Sequence, residues 1–248
     1  MQWSDEGLVL AARRHGERAL VVQVLTREHG RHAGLLRGGQ SPQTRAQWQI
    51  GNRMQITWRA RLAEQLGSLS GELVAGHAAK FFDDRARLAA LASAAALAAA
   101  ALPEREPHPR AYAGLAALVA ALDDNDRWAV AYVEWEMTLL AEAGFGLDLS
   151  RCAASGATTD LVYVSPRSGQ AVSAVAGAPY RDRMLRLPGF LRQADISGRP
   201  APEDVLDGLV LTGFFLDRRI FAPHGRKMPA ARSRYVDVLR QILTMPTL

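Results

Sequence analysis

The stretch EGLVLAARRHGERALVVQVLTREHGRHAGLLR, residues 6–37, decides the fold of the amino-terminal part of the chain. Three apolar runs within it occupy residues 6–12, 19–26 and 32–37. Glycine turns at Gly16 and Gly30 separate these runs. Short runs that are rich in β-branched residues and bounded by turn residues are typical of consecutive β-strands.

Two more strand-like segments follow this stretch. Residues 54–58 alternate apolar and polar side chains at period two, as a strand with one buried face does. Residues 66–74 supply a fifth run. Five short strands within about 75 residues predict a small β-barrel.

Beyond Gly76 the apolar residues recur at helical spacing instead. The spacing predicts helices over residues 81–102, 112–122, 128–143, 205–221 and 235–243. Pro103 ends the first of these helices, and the proline-rich segment 103–109 is predicted to be a linker. Two short strand-like runs within residues 151–175 flank the turn at Pro166 and Gly169, which predicts a β-hairpin insert.

These elements predict an α+β protein with two domains. Residues 1–76 form the β-barrel domain, and residues 77–248 form a helical domain with a hairpin insert at about 151–175. With 48% hydrophobic residues, a chain of 248 residues can bury a substantial core.

The charge distribution indicates an anionic partner. The chain has a net charge of +5, and 28 of its 30 basic residues are arginines. Residues 1–75 and 151–248 are basic (+4 and +6), whereas residues 76–150 are acidic (−5). The planar guanidinium of arginine suits phosphate groups, although a high-GC coding bias produces the same excess of arginine.

Several classes of protein are excluded by composition. A single cysteine, Cys152, rules out an internal disulfide framework and a cysteine-based metal cage. The longest uncharged run, Leu88–Leu102, is too short and too rich in alanine to cross a bilayer. The acidic start of the chain differs from a basic signal-peptide start, so we expect a soluble cytoplasmic protein without membrane contact.

Motifs of catalysis are missing from the sequence. We find no phosphate-binding loop, no Gly-x-Ser-x-Gly elbow and no zinc-protease helix. Glu134, Glu136 and Glu142 raise the alternative of a metal-dependent nuclease or transferase. Because Glu134 and Glu136 are two residues apart on a predicted helix, they point to different faces and form no carboxylate pair. We therefore predict a protein that is not an enzyme and that needs no cofactor or metal.

Basic and aromatic residues cluster on the later strands and loops of the predicted barrel. Oligonucleotide-binding (OB) barrels bind single strands with arginines on phosphates and aromatic rings on bases. The predicted DNA-binding residues are Arg31, Arg37, Arg45, Arg53, Arg59, Arg61 and Trp58. The alternative, that the arginines form a solvated face and the tryptophans belong partly to the core, remains open.

A second basic patch lies between the last two predicted helices. Its members are Arg218, Arg219, Arg226, Lys227 and Arg232. These residues either extend a DNA path or neutralise the ends of helices, and the sequence does not separate the two.

The order of short motifs along the chain is similar to that of RecO, the bacterial recombination mediator family. The motifs are Glu6-Gly7-Leu8-Val9-Leu10, the glycine-rich turn at residues 34–41, the segment Leu139–Leu149 and the region 151–169. The similarity covers nearly the whole chain.

This resemblance implies an amino-terminal OB fold, a helical carboxy-terminal domain and a non-enzymatic role in DNA repair and homologous recombination. It implies binding and annealing of single- and double-stranded DNA, and association with the nucleoid during repair. It also implies partnership with RecR, RecF and the acidic tail of SSB to load RecA onto SSB-coated DNA. An alternative is a helical interaction scaffold that recruits SSB and RecR and has little DNA affinity.

The sequence departs from the family at the zinc knuckle. Members with zinc use two cysteine pairs, whereas Cys152 is followed by Ala153, Ala154 and Ser155, and no second pair exists. We therefore expect a degenerate, metal-free hairpin. The acidic SSB tail would need a basic residue beside an apolar groove, and Arg127 and Arg151 are the candidates.

Overall fold

The alternating segments of the amino-terminal part form a closed five-stranded barrel. The structure, a computed structural model, describes residues 1–62, 64–124, 126–192 and 200–244. The strands are β1 (Gln2–His15), β2 (Ala19–Thr26), β3 (Gly30–Arg37), β4 (Arg53–Arg59) and β5 (Ser68–Ala75). Their order is β1-β2-β3-β5-β4, and the pairing of β3 with β5 is parallel while the other four are antiparallel. The predicted OB-type barrel is confirmed.

Alternate residues of the strands fill the barrel. Its core includes Val9, Leu20, Val22, Val24, Leu36, Trp48, Met54, Ile56, Trp58 and Leu69. The indole nitrogen of Trp58 donates to the carbonyls of Ala33 (3.1 Å) and Leu66 (3.0 Å). Gly67 packs against this ring with a φ of +71°, and a Cβ there would lie 2.5 Å from the indole. Only glycine satisfies both the left-handed backbone and this close approach.

Helices dominate the rest of the chain. They are α1 (Pro42–Gln47), α2 (Arg85–Ala101), α3 (Pro109–Asp124), α4 (Trp128–Glu142), α5 (Ala174–Gly177), α6 (Pro202–Phe215) and α7 (Ala230–Thr244). Helix α2 begins after the predicted Phe81 because the Asp84 carboxylate caps it, accepting from the amides of Ala86 and Arg87. Phe81 ends a separate 3₁₀ turn, and α6 continues into a π-helical turn over Leu216–Phe221. Within the described ranges no helix is long and apolar enough to cross a bilayer.

The predicted hairpin is present and has a third strand. Strands β6 (Leu161–Val164) and β7 (Ala171–Ser173) pair antiparallel, and β8 (Leu185–Arg186) pairs with the other edge of β6. A strand of two residues has no periodicity, which is why the sequence did not predict β8. The α+β class is confirmed, with a helical region that includes a small three-stranded sheet.

The chain separates into two compact units. One comprises Met1–Asp124 with Pro229–Tyr235, and the other comprises Asn125–Met228 with Val236–Leu248. Helices α2 and α3 therefore belong to the same unit as the barrel. The domain boundary between residues 76 and 77 stays a prediction. The last four residues of the predicted helical domain, 245–248, lie outside the described residues.

Candidate nucleic-acid interface

A row of cross-strand partners on the outside of the barrel begins and ends with an exposed arginine. Arg13 on β1 pairs with Val21 on β2, which pairs with Leu35 on β3. Leu35 in turn pairs with Ser68 on β5, and Ser68 with Arg59 on β4. Val21, Leu35, Ser68 and Arg59 each have a chain neighbour in the barrel core, so these four side chains face outward. Arg13 is exposed and lies opposite Val21 in the strand pairing, on the same side of the sheet. We call these five residues the cross-barrel row.

More arginines lie close to the cross-barrel row along the chain. Arg37 is two residues beyond Leu35 on the same outward face of β3, and Arg61 is two residues beyond Arg59. Arg18 lies in the β1–β2 turn. Strands 2 and 3 and the loops β1–β2 and β4–β5 are the surface with which OB folds bind oligonucleotides. Arg13 and Arg18 were not predicted from the sequence, although both lie beside the first turn of the barrel.

The guanidinium groups of this surface are available for phosphate. Arg13, Arg18, Arg37, Arg59 and Arg61 are all exposed, and none forms an ion pair with a described residue. Neighbouring strands lie about 4.8 Å apart, so the cross-barrel row follows the curved wall of the barrel for about 19 Å. The row contains no aromatic residue. The surface is therefore suited to neutralising phosphates rather than to stacking bases.

Arg31 has a structural partner. Its Nε donates to the Leu102 carbonyl (2.9 Å), and a terminal nitrogen donates to the Glu104 carboxylate (3.0 Å). The side chain is 14% exposed. The predicted linker is thus held on the barrel, because Arg105 also donates its amide to the Arg31 carbonyl (2.8 Å). We leave Arg31 out of the proposed DNA surface.

Trp58 lies inside the barrel, whereas Arg53 has an acidic neighbour and its contact with DNA stays a prediction. Trp58 is 2% exposed and has no ring face open to a base. Its inward position follows from the period-two alternation of β4, which the sequence already showed. Arg53 is half-buried, 3.7 Å from the Glu6 carboxylate. That carboxylate also accepts from the Tyr112 hydroxyl (2.7 Å), and burial with this contact raises the pKa of Tyr112.

Arg45 lies on α1, apart from the cross-barrel row. It is exposed and lines an apolar groove with Arg14. A phosphate contact by Arg45 stays a prediction.

The second basic patch is only partly accessible. In the second unit, Arg218 and Arg226 each stand 5.7 Å from a phenylalanine ring centre, those of Phe214 and Phe221. Arg219 donates to the Arg167 carbonyl (2.8 Å), and Lys227 is exposed. Arg232 is buried, and it belongs to the segment Pro229–Tyr235 of the first unit. A role of this patch in DNA binding stays a prediction.

The two candidates for the SSB tail are exposed but do not line a cavity together. Arg127 precedes α4, and Arg151 lies in the turn before the β6–β7 hairpin. The cavity of about 250 Å³ in the second unit is lined instead by residues that include Phe145, Phe215 and Arg219. The assignment of Arg127 or Arg151 to the SSB tail remains a prediction.

The acidic residues of α4 form no paired carboxylate site. Glu136 is fully buried and accepts a hydrogen bond from the Thr212 hydroxyl of α6. Glu134 lies on another face of the helix, where desolvation by the surrounding protein raises its pKa. Glu136 therefore links α4 to α6 through a hydrogen bond.

Asp5 and two histidines lie at one end of the barrel. Burial alone would raise the pKa of Asp5, but hydrogen bonds from His29 and the amides of Glu28 and Glu6 lower it. The Nδ1 atom of His29 is 3.0 Å from Asp5, and its ring stacks on Trp3 with 4.2 Å between ring centres. His32 is buried beneath them, and desolvation lowers its pKa. These contacts join the β2–β3 turn to β1.

Comparison with known protein families identifies the chain. The model described as Recombination protein O N terminal matches residues 1–77, and Recombination protein O C terminal matches residues 83–228. The chain belongs to the RecO family. Proteins called DNA repair protein RecO are similar over nearly their whole length. That of Rhodospirillum centenum is 53% identical (98% of this chain, 97% of the relative), and that of Rhodospirillum rubrum 51% (97% of each). The protein of Phenylobacterium zucineum is 49% identical, over 97% of this chain and 98% of the relative.

Membership of the RecO family confirms the predicted class of protein. The family is one of non-enzymatic recombination mediators in DNA repair. The residues at the predicted knuckle do not fit the zinc site of some RecO proteins. Cys152 is buried and accepts from the amide of Ser173 (3.3 Å), and the described residues contain no group of three metal ligands.

Proposed function

We propose that this RecO family protein binds single- and double-stranded DNA without sequence preference through the cross-barrel row together with Arg18, Arg37 and Arg61. The observation that supports it is the outward register of Arg13 and Arg59 on an OB barrel, with exposed arginines beside both ends. Phosphate contacts position a protein on DNA but do not read sequence. Binding of this kind is therefore salt-dependent and tolerant of sequence.

We further propose that the protein anneals complementary strands and acts with RecR and RecF to load RecA onto SSB-coated DNA in the cytoplasm. Two DNA strands repel each other through their phosphates. A surface that neutralises phosphates lowers this repulsion and lets complementary bases meet. Recruitment through the SSB tail and RecR would bring this surface to coated single strands.

The test is annealing of two complementary labelled oligonucleotides by the wild-type protein and by Arg37→Glu/Arg59→Glu. We expect the double variant to anneal at least about tenfold more slowly, because two phosphate contacts become repulsive. The matched control is Arg85→Glu/Arg110→Glu, which changes net charge equally at two exposed helix positions of the same unit. Equal loss in both variants would show that net charge, and not this surface, supports annealing.

A further inference from the structure

Arg105 has a backbone conformation that is unusual for an arginine. Its φ is +63°, in the left-handed region that favours glycine, a property that it shares with Asp160 among the described non-glycine residues. Such a conformation costs free energy and persists only where the surrounding contacts fix it. Arg105 lies in the segment 102–108 between α2 and α3. The contacts of Arg105 therefore indicate what this strained backbone supports.

The main chain around Arg105 is attached to strand β3. The amide of Arg105 donates to the Arg31 carbonyl (2.8 Å), and Glu104 forms a parallel β-bridge with Arg31. The Glu104 carboxylate also accepts from the Arg31 guanidinium (3.0 Å). Because the amide of Arg105 contacts the main chain of β3, this attachment does not depend on the Arg31 side chain.

The side chain of Arg105 contacts a different part of the barrel. One terminal nitrogen of its guanidinium donates to the carbonyls of Glu64 (3.1 Å) and Gln65 (3.0 Å). Both carbonyls belong to the β4–β5 loop, residues 60–67. Hydrogen bonds from a charged donor are stronger than those between neutral groups. Arg105 therefore links β3 to the β4–β5 loop.

The ends of the β4–β5 loop are attached to the barrel by other residues. At one end, the amide of Ala60 donates to the Met1 carbonyl (3.0 Å). At the other end, the carbonyl of Gly67 accepts from the Leu35 amide (2.9 Å). The hydrogen bonds from Arg105 reach the middle of the loop, which is exposed. Arg105 therefore restrains the part of the loop that lies between its two attached ends.

We propose that Arg105 is a positioning residue for DNA binding, which holds the β4–β5 loop so that Arg61 stays beside the cross-barrel row. Arg61 is exposed and belongs to the same loop, three residues before Glu64. A loop that is ordered before binding loses less conformational entropy when its ligand binds. The inference rests on the proposed function, because it takes Arg61 to contact a DNA phosphate.

The test is a double-mutant cycle between Arg61 and Arg105, with single-stranded DNA affinity measured by fluorescence anisotropy on the full-length protein. Arg61→Ala and Arg105→Ala should each weaken binding several-fold. The double variant should bind within about twofold of the weaker single variant, because Arg105 acts through the contact of Arg61. Arg110→Ala is the matched control, since Arg110 is an exposed arginine on α3 of the same unit. This variant should bind within about twofold of the wild type, because it loses no phosphate contact.

Hydrogen exchange measures the order of the loop directly. The backbone amides of residues 60–67 should exchange faster in Arg105→Ala than in the wild type, while those of β1 and β2 keep their rates. Arg105→Gly loses the same hydrogen bonds but relieves the left-handed strain. It should therefore be more stable than Arg105→Ala, yet show the same faster exchange in the loop and the same loss of DNA affinity.

Losses that multiply in the double variant would overturn the proposal, because Arg105 would then contact DNA on its own. So would unchanged loop exchange or unchanged DNA affinity in Arg105→Ala. Arg37→Ala in the same assay separates these results from failure of the proposed function. If Arg37→Ala and Arg61→Ala both bind like the wild type, the proposed DNA surface is wrong, and the positioning role of Arg105 is wrong with it. A loss in both beside an unchanged Arg105→Ala would overturn the positioning role alone.

Discussion

Arg31 and Arg37 lie on the same outward face of β3, yet their guanidinium groups have different environments. Arg31 is bound to Leu102 and Glu104, whereas Arg37 is exposed and forms no ion pair with a described residue. We expect Arg31→Ala to lower the free energy of unfolding by about 1–2 kcal/mol, because two hydrogen bonds are lost. We expect Arg37→Ala to change it by less than about 0.5 kcal/mol.

DNA affinity should show the opposite order for these two variants. Arg37→Ala should weaken binding of a single-stranded oligonucleotide several-fold, and Arg31→Ala should leave it within about twofold. Urea unfolding and anisotropy titrations measure the two quantities on the same preparations. A larger loss of DNA affinity in Arg31→Ala than in Arg37→Ala would return Arg31 to the DNA surface.

His32 makes the stability of the barrel depend on pH. Burial lowers the pKa of His32 below its ordinary value of 6.5. The unfolded chain therefore binds more protons than the folded chain as the pH falls below about 6.5, and the free energy of unfolding falls with it. We expect urea unfolding to show lower stability at pH 5.5 than at pH 7.5, with a smaller difference in His32→Phe. An equal difference in both proteins would assign the pH dependence to other groups, among them His77, whose pKa is also lowered by burial.

At the scale of elements, the segment between α2 and α3 behaves as part of the barrel. Gly30 of β3 has a φ of +69° and lies very close to this segment. A Cβ added to Gly30 would lie 1.9 Å from the Glu106 carbonyl oxygen. Arg105 donates to the carbonyls of Glu64 (3.1 Å) and Gln65 (3.0 Å) in the β4–β5 loop. This segment therefore supports a loop of the proposed DNA surface.

Gly30→Ala should destabilise the protein by more than about 2 kcal/mol, because a left-handed alanine and a backbone clash combine. Gly38→Ala is the matched control, since Gly38 has the same φ of +69° but nothing within 4 Å of the added Cβ. It should cost only about 1 kcal/mol. Thermal melts of both variants report the difference. Equal costs would mean that the segment does not pack on Gly30.

The sequence predicted those elements that have a strong periodicity. Strands β1 to β5 and helices α3 and α4 appear within a few residues of their predicted bounds. Helix α1 and strand β8 were missed because six and two residues are too few to show a period. The proline-rich segment was predicted to be a linker, since sequence does not show the hydrogen bonds that Arg31 and Arg105 make.

The candidate site was harder to predict than the fold. Counting arginines identified the barrel as basic, and Arg37, Arg59 and Arg61 are exposed as expected. It could not separate them from Arg31 and Arg53, because an ion pair with Glu104 or Glu6 depends on tertiary contacts. The partners of Arg13 across the barrel likewise emerge only from strand register.

At the scale of the whole molecule, stability should not depend on a metal. The knuckle region has one cysteine, which is buried against Ser173, and the described residues offer no set of metal ligands. We expect dialysis against EDTA to leave the melting temperature unchanged, because no zinc contributes to folding. Elemental analysis of the purified protein verifies the metal content. A drop in melting temperature that zinc restores would show that a bound metal stabilises the fold.

We propose that the outward arginines of the barrel bind DNA phosphates. The most direct test is the salt dependence of single-stranded DNA affinity for the wild type and for Arg13→Gln/Arg37→Gln/Arg59→Gln. Each lost phosphate contact lowers the slope of log K against log salt by about 0.7, so we predict a slope shallower by about 2 in the triple variant. Arg85→Gln/Arg110→Gln should retain the wild-type slope. A triple variant with an unchanged slope, or a wild type whose affinity does not vary with salt, would show that these arginines do not bind DNA phosphates.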